Sequence, residues 1–398
     1  MPTRSSSAEL PGGVFIIPAQ ERVVFGRPAD AAVAAEADRH GARRIFVVST
    51  RSLSRLSGGP LQRIVAALGG RHAGTFAEVS SHSPREDVVA AACAARAARA
   101  DLLVAVGGGS VIDATKAAQL CLWMNLDTPA AMEPYRGGVA ADVARPIELP
   151  ADPIRMIAVS TTLSASEFTS NAGVTDARIQ AKQSFSHRLL VPRQVVLDPA
   201  ATLDTPDWLL YATGIRAVDH AVESYCSLLA NPATEPLSLQ GLRLLYRSLP
   251  QIKAHPRELA PRLEAQFGMW QSIAAAGAGA GSGGSHGIGY VLGATFGVPH
   301  GHTSCVMLPA VLRWNAATNG ERQRALSEAM GAPEQPAATL IAGLIAALEQ
   351  PGSLRAVGIQ RDSLDTIAER ALSYPQVRMN PRPIATAAQV REILELAW

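Results

Sequence analysis

The strongest constraint on this chain is a β-branched run that ends in three glycines and passes directly into a helical pattern. Leu102-Leu103-Val104-Ala105-Val106 is apolar on both alternating faces, Gly107-Gly108-Gly109 follows, and Ser110-Val111-Ile112-Asp113-Ala114-Thr115-Lys116 opens a helix. A short strand buried on both faces that turns through glycine into a helix is the unit of a parallel sheet covered by helices. The first half repeats the theme. Ile45 to Ser49 follows a helical segment from Ala29 to His40, the Leu102 run follows another from Arg85 to Arg99, and Ile154 to Val159 is a third strand. Each run ends in small or hydroxylated residues, as expected where strand C-termini open on a ligand crevice. The series closes at Val195-Val196-Leu197-Asp198-Pro199, and beyond Thr202 helical signals take over. Thr205-Pro206-Asp207 predicts a helix start with a threonine cap, proline in the first position and an acid in the first turn. The expected architecture is an α/β domain over residues 1–198 and a helical domain over 199–398. Residues 126–153, rich in proline and glycine, read as a long loop within the first domain.

Composition narrows the ligand. With 36 basic and 34 acidic side chains the chain has no broad field to gather nucleic acid or an anionic membrane, so a small molecule is expected. Cys93, Cys121, Cys226 and Cys305 are far apart and form no CxxC pair, which argues against a disulfide framework and fits the reducing cytoplasm. Met1 to Ser7 runs into Pro11-Gly12-Gly13 without the apolar stretch of a signal peptide, and these first residues are expected to be a loose tail. The stretch nearest to a membrane span, Ser272 to Gly289, is alanine and glycine, which marks close helix packing instead. Gly279, Gly281, Gly283 and Gly284 within it predict close packing or a reshaped pocket wall.

Glycines let backbone N–H groups approach a phosphate, and the following helix start adds partial positive charge. The turn at Gly107 to Ser110 is therefore either a pyrophosphate cradle or a tight strand-to-helix turn with no ligand. A second turn, Ser160-Thr161-Thr162 with Ser164, Ser166 and Glu167 behind it, offers hydroxyls for a ribose or an amide, or else a serine-rich loop bonding to itself.

Taken in order, GGGSVIDATK from Gly107, STTLSASE from Ser160, DPAATLDTP from Asp198, TGIRAVDHAVESY from Thr213, SHGIGYVLGATFGVPHG from Ser285 and NPRP from Asn380 resemble the iron-containing (group III) alcohol dehydrogenases, and within them the maleylacetate reductase branch. The resemblance implies the dehydroquinate synthase-like fold, an α/β dinucleotide domain and an all-helical domain with hydride transfer between them. It implies that Gly107, Gly108, Gly109 and Ser110 hold the pyrophosphate of NAD(H) or NADP(H), with Asp113 supporting the turn. Thr161, Thr162 and Ser166 would line the ribose and nicotinamide, and Lys182 would reach the ribose, although the residues alone read Lys182 as a solvated charge. Where NAD-preferring relatives carry an acid after the first buried strand, this chain has Ser49-Thr50-Arg51, so NADP is expected to be accepted alongside NAD.

The resemblance also implies a divalent metal on an aspartate and three histidines. His220, His286 and His300 stand at the histidine positions, but Arg216 replaces the aspartate. Arginine has no lone pair for a metal and places a fixed positive charge where the cation would be. Asp219 lies about 100° around the helix from His220 and reads as a poor substitute. Tyr290 stands where relatives often carry a further histidine, and Tyr290 or His286 would supply the proton. Read singly, each histidine is a structural residue, Arg216 a bridge between domains, and His302 either a substitute donor in the pocket or a surface group. Together, Arg216, His220, His286, Tyr290 and His300 imply a reductase without a tightly bound divalent metal, in which the arginine binds a carboxylate or polarises a carbonyl. The expected partner is a small carbonyl or alcohol substrate, with or without a carboxylate, with no nucleic acid or membrane, in a homodimer. Three alternatives stand beside it: a metal-dependent alcohol dehydrogenase, a nucleotide-binding protein without redox chemistry, and a dehydroquinate synthase-like cyclase or lyase.

Overall fold

The computed structural model describes residues 14–179 and 181–398. The expected N-terminal tail lies outside the described residues.

Short β-branched runs form the strands, and the alanine-rich segments between them form the helices. In chain order these are β1 (Arg22–Phe25), α1 (Ala29–Arg39), β2 (Ile45–Val48), α2 (Arg51–Ser54), α3 (Pro60–Leu68), β3 (His72–Phe76), α4 (Arg85–Ala97), β4 (Leu102–Gly107), α5 (Gly109–Trp123), β5 (Met156–Ser160), β6 (Asn171–Asp176), β7 (Ala181–Ser186) and β8 (Gln194–Leu197). Six strands make one parallel sheet in the order β1-β8-β5-β4-β2-β3. Because every strand runs the same way, their C-terminal ends meet at one edge. Gly107 pairs with Ser160 there. Ser49, just past β2, donates to the Val106 carbonyl at 2.8 Å. The central strands β2, β4, β5 and β8 are buried throughout, which is why they read as continuous apolar runs.

Three features went unread in the sequence. β1 is a short, half-exposed edge strand, and β3 carries Gly74 and polar residues. β6 and β7 form an antiparallel hairpin outside the main sheet. Its stability comes from its partners: fully buried Lys116 of α5 donates to Ser166 O, to Thr169 Oγ1 at 3.0 Å and to Asn171 O at 2.9 Å.

The second half is helical: α6 (Asp207–Cys226), α7 (Glu235–Ala254), α8 (Leu259–Ala275), α9 (Gly284–Phe296), α10 (His300–Ala329), α11 (Ala337–Ala347), α12 (Leu364–Ala371), α13 (Pro375–Arg378) and α14 (Ala387–Leu396). α6 is the central rod, buried along most of its length. A Cβ at Gly301 would lie 2.5 Å from Ala212 O, so that glycine lets α10 start against α6. The helix start expected at Thr205 differs in detail. α6 begins at Asp207 with no side-chain cap, because Thr205 Oγ1 is spent on Thr161 O at 2.6 Å, tying the helical half to the sheet edge. The glycines before His286 likewise do more than allow packing. Gly279 (φ 123°) and Gly281 (φ 73°) break the chain between α8 and α9 in conformations that side chains resist. No helix among the described residues is long and apolar enough to cross a membrane.

Candidate active site

The floor of the cleft is the sheet edge. α5 starts at Gly109 with no side-chain cap, so its first N–H groups and partial charge face that edge uncompensated by a side chain. The glycines are also required by packing. A Cβ at Gly108 would lie 2.9 Å from Thr162 Cγ2, and one at Gly109 would lie 3.0 Å from Ser164 Oγ. The hydroxyl segment therefore rests directly on the glycine turn. Thr162 Oγ1 and Ser164 Oγ are buried without a hydrogen-bond partner, a costly arrangement unless a ligand supplies one. These orphaned hydroxyls beside an uncapped helix fit the diphosphate and ribose of a dinucleotide.

Other residues expected at the cofactor serve the frame. Asp113 does not bond to the turn; its carboxylate accepts from Ser166 Oγ and from Gly173 N at 3.1 Å, pinning the β6–β7 hairpin. Ser110 Oγ accepts from His82 N at 3.0 Å. Thr161 contributes its carbonyl to Thr205. Lys182, exposed on β7, lies over Gly173, and its charge lowers both His82 and His300. Thr50 caps α2 through Leu53 N at 3.4 Å. Arg51 is ion-paired with Glu78, so the acid missing after β2 is delivered from beyond β3.

The wall comes from three helices. Arg216, Asp219, His220 and Glu223 follow one another at i, i+3, i+4 and i+7 on α6, so they form one stripe. All four are buried. His286 and Tyr290 come from α9, and His300 and Ser304 from α10. Arg216 donates from Nη1 to Ser304 Oγ at 2.9 Å and from Nη2 to His300 Nε2 at 3.1 Å. Tyr290 stacks on His300 with centroids 5.7 Å apart, and the guanidinium lies 5.9 Å above the phenol ring. His220 and His286 face each other at 4.9 Å. The five residues expected at the reaction centre are thus brought together.

Asp219, read in the sequence as a poor substitute ligand, and Glu223, one turn further along α6, prove central. Asp219 Oδ2 accepts from Ser285 Oγ at 2.9 Å and Ser304 Oγ at 2.6 Å, and lies 3.8 Å from Arg216. Its offset from His220 directs it toward α9 and α10. Glu223 accepts from Gly283 N at 2.8 Å, Ser285 N at 2.7 Å and His286 Nδ1 at 2.7 Å. The i+3 and i+7 spacing from Arg216 was the available signal.

Burial dominates the electrostatics. It raises the carboxyls of Asp219 and Glu223 and lowers His286 to about 3, with Arg216 adding repulsion. His220 and His300 are held well below the usual imidazole range for the same reason, helped by Arg216 and, at His220, by His286. The histidines are neutral at physiological pH. At the position of Arg216 a divalent ion does not fit: His300 Nε2 accepts from a guanidinium, and Arg216 already supplies the local cation. The cluster of Asp219, Glu223 and His286 also has ligand-type atoms close together; both Glu223 oxygens and Asp219 Oδ2 accept from main-chain N–H groups, serine hydroxyls and the His286 ring, while Asp219 Oδ1, His220 Nδ1 and His286 Nε2 are buried without a partner.

Comparison with known proteins places this geometry. Residues 20–199 match the iron-containing alcohol dehydrogenase family, and residues 210–398 match the C-terminal part described as Fe-containing alcohol dehydrogenase family, C-terminal. A maleylacetate reductase of Sphingobium indicum is 32% identical over 367 residues, covering 92% of each chain. The chain belongs to the iron-containing alcohol dehydrogenase family. Within it, the maleylacetate reductases are the branch it resembles. The crystal structure of maleylacetate reductase from Agrobacterium tumefaciens superposes with a TM-score of 0.81 at 28% identity, covering 98% of this chain and 99% of that one. An iron-containing alcohol dehydrogenase from Corynebacterium glutamicum gives 0.81 at 26% identity over 98% and 97%. Membership makes this family member an NAD(P)-dependent oxidoreductase of the expected α/β plus all-α fold.

Proposed function

We propose that this enzyme reduces a ketone or enone carbon of a small carboxylated substrate with NADH or NADPH, and does so without a divalent metal. The observation that carries the reading is the Arg216 guanidinium, buried on His300 Nε2 at the position where the family resemblance implies a metal ligand. Likeness to maleylacetate reductases over most of the chain supports the substrate class.

Residues 1–198 hold the cofactor and residues 199–398 the substrate groups. The first N–H groups of α5 at Gly109 and Ser110 take the diphosphate, while Thr162, Ser164 and Lys182 serve the ribose and nicotinamide side, Ser166 being held by Asp113 and Lys116. Bound there, NAD(P)H supplies the hydride. Arg216 has N–H groups beyond the two used by Ser304 and His300, and these stabilise negative charge on the substrate oxygen or grip its carboxylate. His220 lies beside it. Tyr290, over which the guanidinium sits, delivers the proton from its hydroxyl to that oxygen.

A screen of keto acids and simple aldehydes that follows NADH and NADPH oxidation, with iron and zinc measured on the same sample, tests the reading. Oxidation with dicarboxylate keto acids, indifferent to chelators, is expected. Stoichiometric metal whose removal abolishes activity and whose return restores it would sink the proposal, and cofactor recycled without net oxidation would point to a cyclase.

A further inference from the structure

Glu223 makes more hydrogen bonds than a carboxylate needs merely to be buried. Oε1 accepts from Ser285 N at 2.7 Å, and Oε2 accepts from Gly283 N at 2.8 Å and His286 N at 3.3 Å. The three donors are main-chain N–H groups at the start of α9, which cannot act as acceptors, and the helix dipole adds to their pull. Three such donors favour the ionised carboxylate against the raising effect of burial, and a carboxylate can only accept. The remaining partner, His286 Nδ1 at 2.7 Å, must then be the donor. The other ring nitrogen, Nε2, is buried, without a partner, and on the side of the ring away from Glu223.

We infer that Glu223 is a positioning residue that locks His286 in its Nδ1–H form, so that His286 meets the ligands with a bare Nε2 acceptor. The inference rests on the proposed reductase chemistry for its catalytic meaning, but not for its geometry. A bare Nε2 has no proton to give in the reduction direction, which assigns proton delivery to the Tyr290 hydroxyl. Hydride joins the carbonyl carbon, the phenolic proton joins its oxygen, and the phenolate is reprotonated from solvent. The new hydroxyl then donates to His286 Nε2. The sequence expectation that either Tyr290 or His286 supplies the proton is narrowed to Tyr290. Asp219, 3.4 Å from Nδ1 and held by two serine hydroxyls, stands on the same side of the ring as Glu223 and favours the same tautomer.

The test is the tautomer itself, read by long-range proton–nitrogen correlation on histidine-labelled full-length protein, with His286 assigned from the spectrum of His286→Gln. A proton on Nδ1 and a bare-type Nε2 resonance are expected in the unmodified enzyme. Glu223→Gln, whose amide can donate to Nδ1, is expected to shift the proton toward Nε2 and to lower kcat about 10- to 100-fold with little change in KM. Glu223→Asp is expected to recover part of the rate. A proton found on Nε2 in the unmodified enzyme overturns the inference even if Glu223→Gln fails to fold. So does a folded Glu223→Gln with an unchanged tautomer and kcat. If the enzyme reduces no carboxylated ketone, the proposed function fails while the tautomer measurement still stands.

Discussion

The floor and the wall of the cleft solve opposite problems. The floor is made of main chain and hydroxyls from two short segments, Gly107 to Ser110 and Thr161 to Ser166, and it leaves Thr162 Oγ1 and Ser164 Oγ unpartnered. The wall is made of side chains from α6, α9 and α10, joined across as many as 88 residues of sequence, as between Arg216 and Ser304. Its charges are matched internally, with Arg216 set against Asp219, and Glu223 against the start of α9. The wall too leaves Asp219 Oδ1, His220 Nδ1 and His286 Nε2 unpartnered, but unlike the floor it carries its own cation. Binding and chemistry should separate when either is changed.

Arg216→Ala is the strongest way to break that separation. Loss of the guanidinium removes the electrostatic partner proposed for the reacting oxygen, and kcat is expected to fall by about 10²- to 10³-fold. Cofactor affinity, measured by fluorescence titration with NADH, should change by less than about twofold if floor and wall act independently. A comparable loss of cofactor binding would show that the arginine supports the floor, as a bridge between domains would.

Glu167 sharpens the comparison from the other side, because it is the one charged group buried in the floor's hydroxyl segment with both oxygens unpartnered. Burial pushes its carboxyl up to about 7. The sign follows from linkage: below the ordinary carboxyl range the group is neutral whether folded or not, so it costs nothing. As pH rises, the unfolded chain ionises first, and stability is lost until the folded form also ionises above about 7. A shift of this size corresponds to about 3 kcal/mol. Urea midpoints between pH 4.5 and pH 8 should therefore fall more steeply for the natural chain than for Glu167→Gln. Parallel slopes would mean that the carboxyl is solvated or paired in solution.

The same contrast explains what could be read in the sequence. Strands buried on both faces and the glycine turn are local patterns, and β2, β4, β5 and β8 were legible for that reason. β1, β3 and the β6–β7 hairpin were not, because edge strands and a hairpin pinned by Lys116 and Asp113 owe their existence to partners far along the chain. In the wall, the histidines and Arg216 were visible through the family pattern. Asp219 was dismissed on its angle from His220 alone, although the same angle aims it at Ser285 and Ser304 on the facing helices. Helical geometry says where a side chain leaves its own helix; it is silent on what the neighbouring helix presents there.

Arg51 and Glu78 carry the smallest expected effect and the finest test of the floor. From sequence, a threonine and an arginine after β2 left room for the 2′-phosphate of NADP. In the fold, Glu78 reaches Arg51 from beyond β3, and both side chains are well exposed, at 71% and 48%. An exposed pair of this kind is weak and easily exchanged, so a phosphate can compete for the guanidinium, but the carboxylate repels it meanwhile. Glu78→Gln removes the repulsion and frees the arginine, and kcat/KM with NADPH relative to NADH should rise about two- to fivefold. Arg51→Ala should lower that ratio and leave NADH kinetics unchanged. Because the phosphate term is screened by salt, the gain should shrink as ionic strength rises. A ratio that ignores both substitutions would place the adenosine ribose away from Thr50 and Arg51, and the floor would then end at the glycine turn.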